Sequence, residues 1–158
     1  MKGDDRDAGT CCGQAGRQAG DRREITVEAN MDAIEPVTGF VNAFLAELGC
    51  PSRIRVQLDV ALGELFGNIV RYAYAPGTGP ATVRLEKEED PLCVVITLID
   101  GGEPFDPLAK EMPDTTRLKA RERPIGGLGL FMVKKSMDGL AYEYRDGKNI
   151  LTIRKKIC

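Results

Sequence analysis

At 158 residues, with 42% hydrophobic and 29% charged side chains, the chain has the size and composition of one globular domain around one core. A net charge of -2 offers no broad basic field, which argues against bulk attraction to nucleic acid or to an anionic membrane, and no run approaches the roughly 18 apolar residues of a membrane span. There is no histidine, which removes Ser-His-Asp and Cys-His chemistry and phosphorylation on the chain's own histidine, so any general base must be a carboxylate or a lysine.

Residues 1–22 are rich in Gly, Ala, Asp and Arg with almost nothing large and apolar, and read as a disordered tail ahead of a domain over 23–158. The start Met-Lys-Gly-Asp-Asp-Arg-Asp lacks the apolar core of a secretory signal, so a cytoplasmic home is expected. Five cysteines (Cys11, Cys12, Cys50, Cys93 and Cys158) are odd in number and without metal-ligand spacing, and read as reduced thiols.

Residues 24–29 alternate and predict a half-buried strand. From 32 to 48, Ile34, Val37, Val41, Phe44, Leu45 and Leu48 make the apolar face of a helix that Gly49 and Pro51 terminate. Residues 52–74 predict one long central helix, with Ser52 as its cap and Leu58, Leu62, Leu65, Ile69 and Ala73 as its stripe. Glu64 and Asn68, four apart, stack on one flank of that stripe. Such a pair is most often solvated. It can also hold a hydrated magnesium ion, with the carboxylate free to take a proton from an attacking hydroxyl. Residues 81–86 and 92–100 predict an antiparallel hairpin, the second strand being nearly all apolar and so the most buried. It runs into Asp100-Gly-Gly-Glu-Pro-Phe-Asp-Pro107, where the aspartate and glycines suit either a tight turn or a carboxylate at a pocket rim.

Residues 107–125 are polar and basic, as in a solvated loop or a movable cover over an anion. Gly127 and Gly129 then open a helix over 130–138, where backbone amides can approach a phosphate. A closing hairpin follows over 140–144 and 150–155.

In this order and spacing, Glu64-x-x-x-Asn68, Asp100-x-Gly102 and Gly127-x-Gly129 resemble the N, G1 and G2 boxes of the GHKL ATPase superfamily. Within it, Leu-Gly-Glu-Leu-Phe-Gly-Asn-Ile-Val-Arg-Tyr-Ala-Tyr and Gly-Gly-Leu-Gly-Leu-Phe-Met-Val are similar to the anti-sigma factor serine kinases, over about residues 25–156. The resemblance implies an α+β two-layer sandwich of the Bergerat type, with helices on one face of a mixed, largely antiparallel sheet and ATP between the central helix and a lid. It also implies roles: Glu64 as general base toward a protein serine, Asn68 as magnesium ligand, Asp100 as partner of the adenine amino group, and Gly102, Gly127 and Gly129 as close-approach positions around the nucleotide. Two departures stand out, since Tyr72 occupies a position that is often histidine and the preceding helix offers Val37, Thr38 or Gly39 where some members carry arginine. A phosphate-neutralising cation is therefore sought in the lid, at Arg121 or its neighbours Arg117 and Arg123.

The implied function is phosphorylation of an anti-anti-sigma (STAS-type) partner and sequestration of a sigma factor, by a homodimer that uses ATP and magnesium and touches neither nucleic acid nor membrane. The alternative is a nucleotide-binding switch that trades partners without transferring phosphate. The ATP-binding half of a sensor histidine kinase fits less well, because no phosphoacceptor helix precedes the domain and the lid is short.

Overall fold

The computed structural model describes residues 22–109 and 127–157. Strand β1 (Arg22–Glu28) leads through a 3₁₀ turn (Met31–Ala33) into helix α1 (Ile34–Glu47). Helix α2 (Ser52–Asn68) continues into a π-helical segment (Ile69–Ala73), followed by β2 (Pro80–Glu88) and β3 (Cys93–Asp100). Helix α3 (Gly127–Ser136) and the hairpin β4 (Gly139–Arg145) and β5 (Lys148–Lys156) complete the order.

Helix α1 buries Val37, Val41, Phe44 and Leu45 on one face and closes with a paired cap, Cys50 N donating to Leu45 O at 3.0 Å and Gly49 N to Ala46 O at 3.1 Å. Helix α2 buries Leu58, Leu62 and Leu65 as its spacing requires, together with Ile54, Ala61 and Phe66. Each fully buried leucine or phenylalanine contributes about 1.5–3 kcal/mol, so this face holds the helix on the sheet without a side-chain cap on its first turn. Ser52 is not the cap: it is the first helical residue, Pro51 takes the cap position in extended backbone, and no side chain bonds the first amides.

The single helix expected over 52–74 is also corrected, because α-helical bonding stops at Asn68 and residues 69–73 are π-helical. Arg71 Nε donates to Gly67 O at 3.2 Å, which supplies a partner where the α ladder opens. An apolar stripe cannot reveal one extra residue in a single turn, and π turns of this kind gather at functional sites.

The sheet runs in the order β1-β2-β3-β5-β4. The expected α+β sandwich is present, and the described strands pair antiparallel throughout rather than in a mixed sheet. One core joins α1, α2 and α3 to Val83 and Leu85 of β2, Val94, Ile96 and Leu98 of β3, and Leu151 and Ile153 of β5. The central strand β3 is buried along its whole length except at Ile99. Its register sets Asp100 opposite Ala81 on one side and Asn149 on the other, so the last residue of the most buried strand lies between two ordered neighbours.

Cys50 and Cys93 are buried. No described helix is long and apolar enough to cross a membrane. Nearly all of the expected tail and most of the expected lid lie outside the described residues, as does Arg121 with Arg117 and Arg123.

Candidate nucleotide site

Asp100 ends β3 with only 5% of its surface exposed. A buried carboxylate requires donors, and Oδ1 has two, Gly102 N at 2.9 Å and Asn149 Nδ2 at 3.0 Å. No described residue donates to Oδ2, and Asp100 lines a cavity beside it. Leu65, Ile69 and Ala73 line that cavity from the central helix and its π-helical end, Leu151 lines it from β5, and Phe105 and Tyr142 contribute aromatic rings. A largely apolar space lined by a carboxylate whose second oxygen accepts from no described residue suits a heteroaromatic ring that carries an exocyclic amine.

Asn149 organises this edge, and nothing in the sequence reading singled it out. Its Nδ2 donates to Asp100 Oδ1, to Glu103 O at 2.9 Å and to Gly102 O at 3.4 Å. Its Oδ1 accepts from Phe105 N at 3.0 Å and from the Tyr142 hydroxyl at 2.5 Å. Burial raises the Tyr142 phenol above its ordinary value, and the Asp106 and Asp100 carboxylates add to the rise, so the hydroxyl keeps its proton and remains a donor. One amide thus pins residues 102–105 to the sheet and holds Asp100. The available signal was strand alternation: 149, 151 and 153 face the core, so a polar residue at 149 needs partners.

Gly102 does not line the cavity. Its close approach is to protein backbone, since a Cβ at 102 would lie 2.1 Å from Ala73 O, the carbonyl that accepts from Glu103 N at 3.0 Å. The loop after β3 therefore lies directly on the end of the π segment, and only glycine permits that spacing.

Asn68, half-buried as the last residue of α2, lines the cavity together with Asp100, whereas Glu64 does not. Glu64 is half-buried one turn earlier, with its carboxylate against the first turn of α3: a Cβ at Gly129 would lie 2.0 Å from Glu64 Cδ. A carboxylate there is favoured by the positive end of the helix dipole. Gly127 and Gly129 are within α3 rather than ahead of it, and Lys134 of the same helix donates from Nζ to Leu108 O at 3.0 Å, which ties α3 to the loop beyond β3. The described residues thus bring Asn68 and Asp100 to one cavity, set Glu64 and Gly129 side by side next to it, and place Gly102 behind it.

Among the described residues no three carboxylate or thiol groups cluster as a metal cage. Magnesium that arrives on a triphosphate keeps several waters and takes most of its ligands from phosphate, so what the protein must add is a hard oxygen at the cavity. Asn68 fits that requirement.

Residues 27–155 match the histidine kinase-like ATPase domain. The chain is 33% identical over 102 residues to the serine/threonine-protein kinase BtrW of Bordetella bronchiseptica, a span of 65% of this chain and 70% of that protein. Among solved structures, the RsbU and RsbW domains of Rv1364c from Mycobacterium tuberculosis superpose with a TM-score of 0.61 at 19% identity, over 87% of this chain and 33% of that one. At that identity the likeness concerns the fold, and the chain spans about a third of the structure it resembles. The family match covers helices α1, α2 and α3, strands β2 to β4, nearly all of β5 and each described residue of the cavity, and on that ground the chain belongs to the histidine kinase-like ATPase domain family.

Proposed function

We propose that this protein is an ATP-dependent serine kinase of the partner-switching kind, with residues 23–158 as its ATPase domain, acting in the cytoplasm on an anti-anti-sigma protein and sequestering a sigma factor as a homodimer. The observation that carries the reading is the convergence of Asn68 and Asp100 on one apolar cavity in a chain of this family with a serine/threonine-protein kinase as relative. Asp100 Oδ2 accepts from the adenine amino group, while Leu65, Ile69, Phe105 and Leu151 enclose the ring. Asn68 is the protein's ligand to magnesium, which neutralises charge on the phosphates when it is bound. Glu64 accepts the proton of the substrate serine as that oxygen attacks the γ-phosphorus, the bond to the β–γ bridging oxygen breaks, and ADP leaves. Gly127 and Gly129 bring the first turn of α3 to the phosphates, and Arg121 is assigned to the transferred group.

Binding of ATP is tested at Asp100. Asp100→Asn replaces an acceptor with a donor that faces the adenine amine, and a buried polar mismatch of about 1–3 kcal/mol weakens ATP by roughly 5- to 150-fold in calorimetry with magnesium. Unchanged affinity in a folded variant would remove the base-recognition role. Transfer is tested with γ-labelled ATP, magnesium and a serine-bearing STAS-type partner, and label on the partner serine is the expected result. A second reading, nucleotide-controlled partner exchange without transfer, is favoured by one observation: Glu64 rests on Gly129 instead of lining the cavity. Tight ATP binding with no label on any partner would select it.

A further inference from the structure

We infer that the hydroxyl of Tyr74 is a positioning group for adenine recognition, locking the Asp100-Gly101-Gly102 turn so that Asp100 reads the base. The inference rests on the nucleotide-binding reading above. Tyr74 follows the π segment, and its hydroxyl is used in both directions: it donates to Pro80 O at 2.5 Å and accepts from Gly101 N at 2.7 Å. One oxygen therefore joins three segments, the end of the central helix, the start of β2 and the turn that leaves β3.

The tie lies directly beside Asp100. Gly101 N belongs to the peptide that leaves Asp100, and the next amide, Gly102 N, donates to Asp100 Oδ1. Fixing the first amide holds the second on the carboxylate, which leaves Oδ2 directed at the cavity. Pro80 completes the relay from the other side, because the residue after it, Ala81, pairs with Asp100 in the sheet. The ring is held independently of the hydroxyl: a Cβ at Gly79 would lie 2.5 Å from it, so the ring covers Gly79 closely and fills the same space when the oxygen is removed. The π-helical turn supplies the geometry, since one extra residue between Asn68 and Tyr74 rotates the tyrosine relative to the α-helical stripe.

Tyr74→Phe separates positioning from simple support. Adenine presents a donor at its 6-position and guanine an acceptor, so the ratio of ATP to GTP affinity reports where Asp100 Oδ2 stands, whereas general loosening weakens both nucleotides alike. The expected result is a fall of about tenfold in ATP affinity with GTP affinity unchanged, and no further loss when Tyr74→Phe is added to Asp100→Asn, because the hydroxyl acts only through that carboxylate. Amide exchange in the unsubstituted protein gives a second reading that does not depend on a variant: the Gly101 amide should be protected, and ATP should protect it more than GTP does. Equal loss for both nucleotides, additive loss in the double variant, or an unprotected Gly101 amide would overturn the inference while leaving Asp100→Asn to support base recognition. An unsubstituted protein without preference for ATP would instead overturn the nucleotide reading, and this inference with it.

Discussion

Glu64→Gln is expected to leave ATP affinity within a few-fold and to lower transfer to a protein serine by roughly 10² to 10⁴, the usual contribution of a positioned general base. The substitution keeps the shape and hydrogen-bonding reach of the side chain and removes only its capacity to take a proton. Separation from binding is expected because Glu64 does not line the cavity that Asn68 and Asp100 share. Single-turnover transfer of label, alongside calorimetry on the same preparation, checks both halves. Gly129→Ala approaches the same carboxylate from the opposite side. Its methyl group would lie 2.0 Å from Glu64 Cδ and 2.2 Å from Oε1, and a long, half-buried side chain yields more easily than backbone does. The fold should therefore survive while Glu64 is moved, so Gly129→Ala should slow transfer and spare the thermal midpoint. If both variants transfer phosphate at the unsubstituted rate, Glu64 has no catalytic role.

Gly102→Ala is expected to abolish measurable ATP binding and to destabilise the domain by about 1–3 kcal/mol, the range for forcing extra atoms into a packed interior. The contrast with Gly129 lies in what the new methyl group meets. At 102 it would lie 2.1 Å from Ala73 O, 2.5 Å from Ala73 C and 2.7 Å from Ala73 Cα, all of them backbone. Either the loop leaves the π segment, breaking the bond from Glu103 N to Ala73 O, or the π segment itself shifts. The first movement carries Gly102 N away from Asp100 Oδ1, and the second displaces Ile69 and Ala73, which line the cavity. Gly101→Ala is the control, because a methyl group there would meet the Tyr74 hydroxyl at 3.4 Å, an ordinary contact. Thermal unfolding and calorimetry on the two alanine variants should diverge sharply, and similar behaviour would mean that the close packing at 102 is not what holds the site.

Much of the architecture was legible because hydrophobic period and turn chemistry act locally. Val37, Val41, Phe44 and Leu45 recur at helical spacing and are buried on α1, and the nearly all-apolar run before Asp100 is the buried central strand. The pairing of Asn68 with Asp100 was legible in another way, through spacing that resembles a known set of boxes, and the cavity brings those two residues together across 31 intervening positions.

The sequence by itself determined which faces are apolar and that Asp100 stands at the end of the buried strand, because these properties belong to residues a few positions apart. Ser52 shows a limit of such reasoning: a capping residue type was present, yet the extended Pro51 took the cap position and the helix began one residue earlier than a serine cap would place it. Only the tertiary structure decided that α-helical bonding gives way to a π turn after Asn68, that Asn149 holds Asp100 from the neighbouring strand, and that Tyr74 spans from the helix end to the turn beyond β3. Each depends on which distant backbone lies opposite, as in the register of Asp100 with Asn149, 49 residues further along the chain. A buried amide or hydroxyl takes the partners that packing brings within 3 Å, and that proximity is a property of the folded sheet rather than of local sequence.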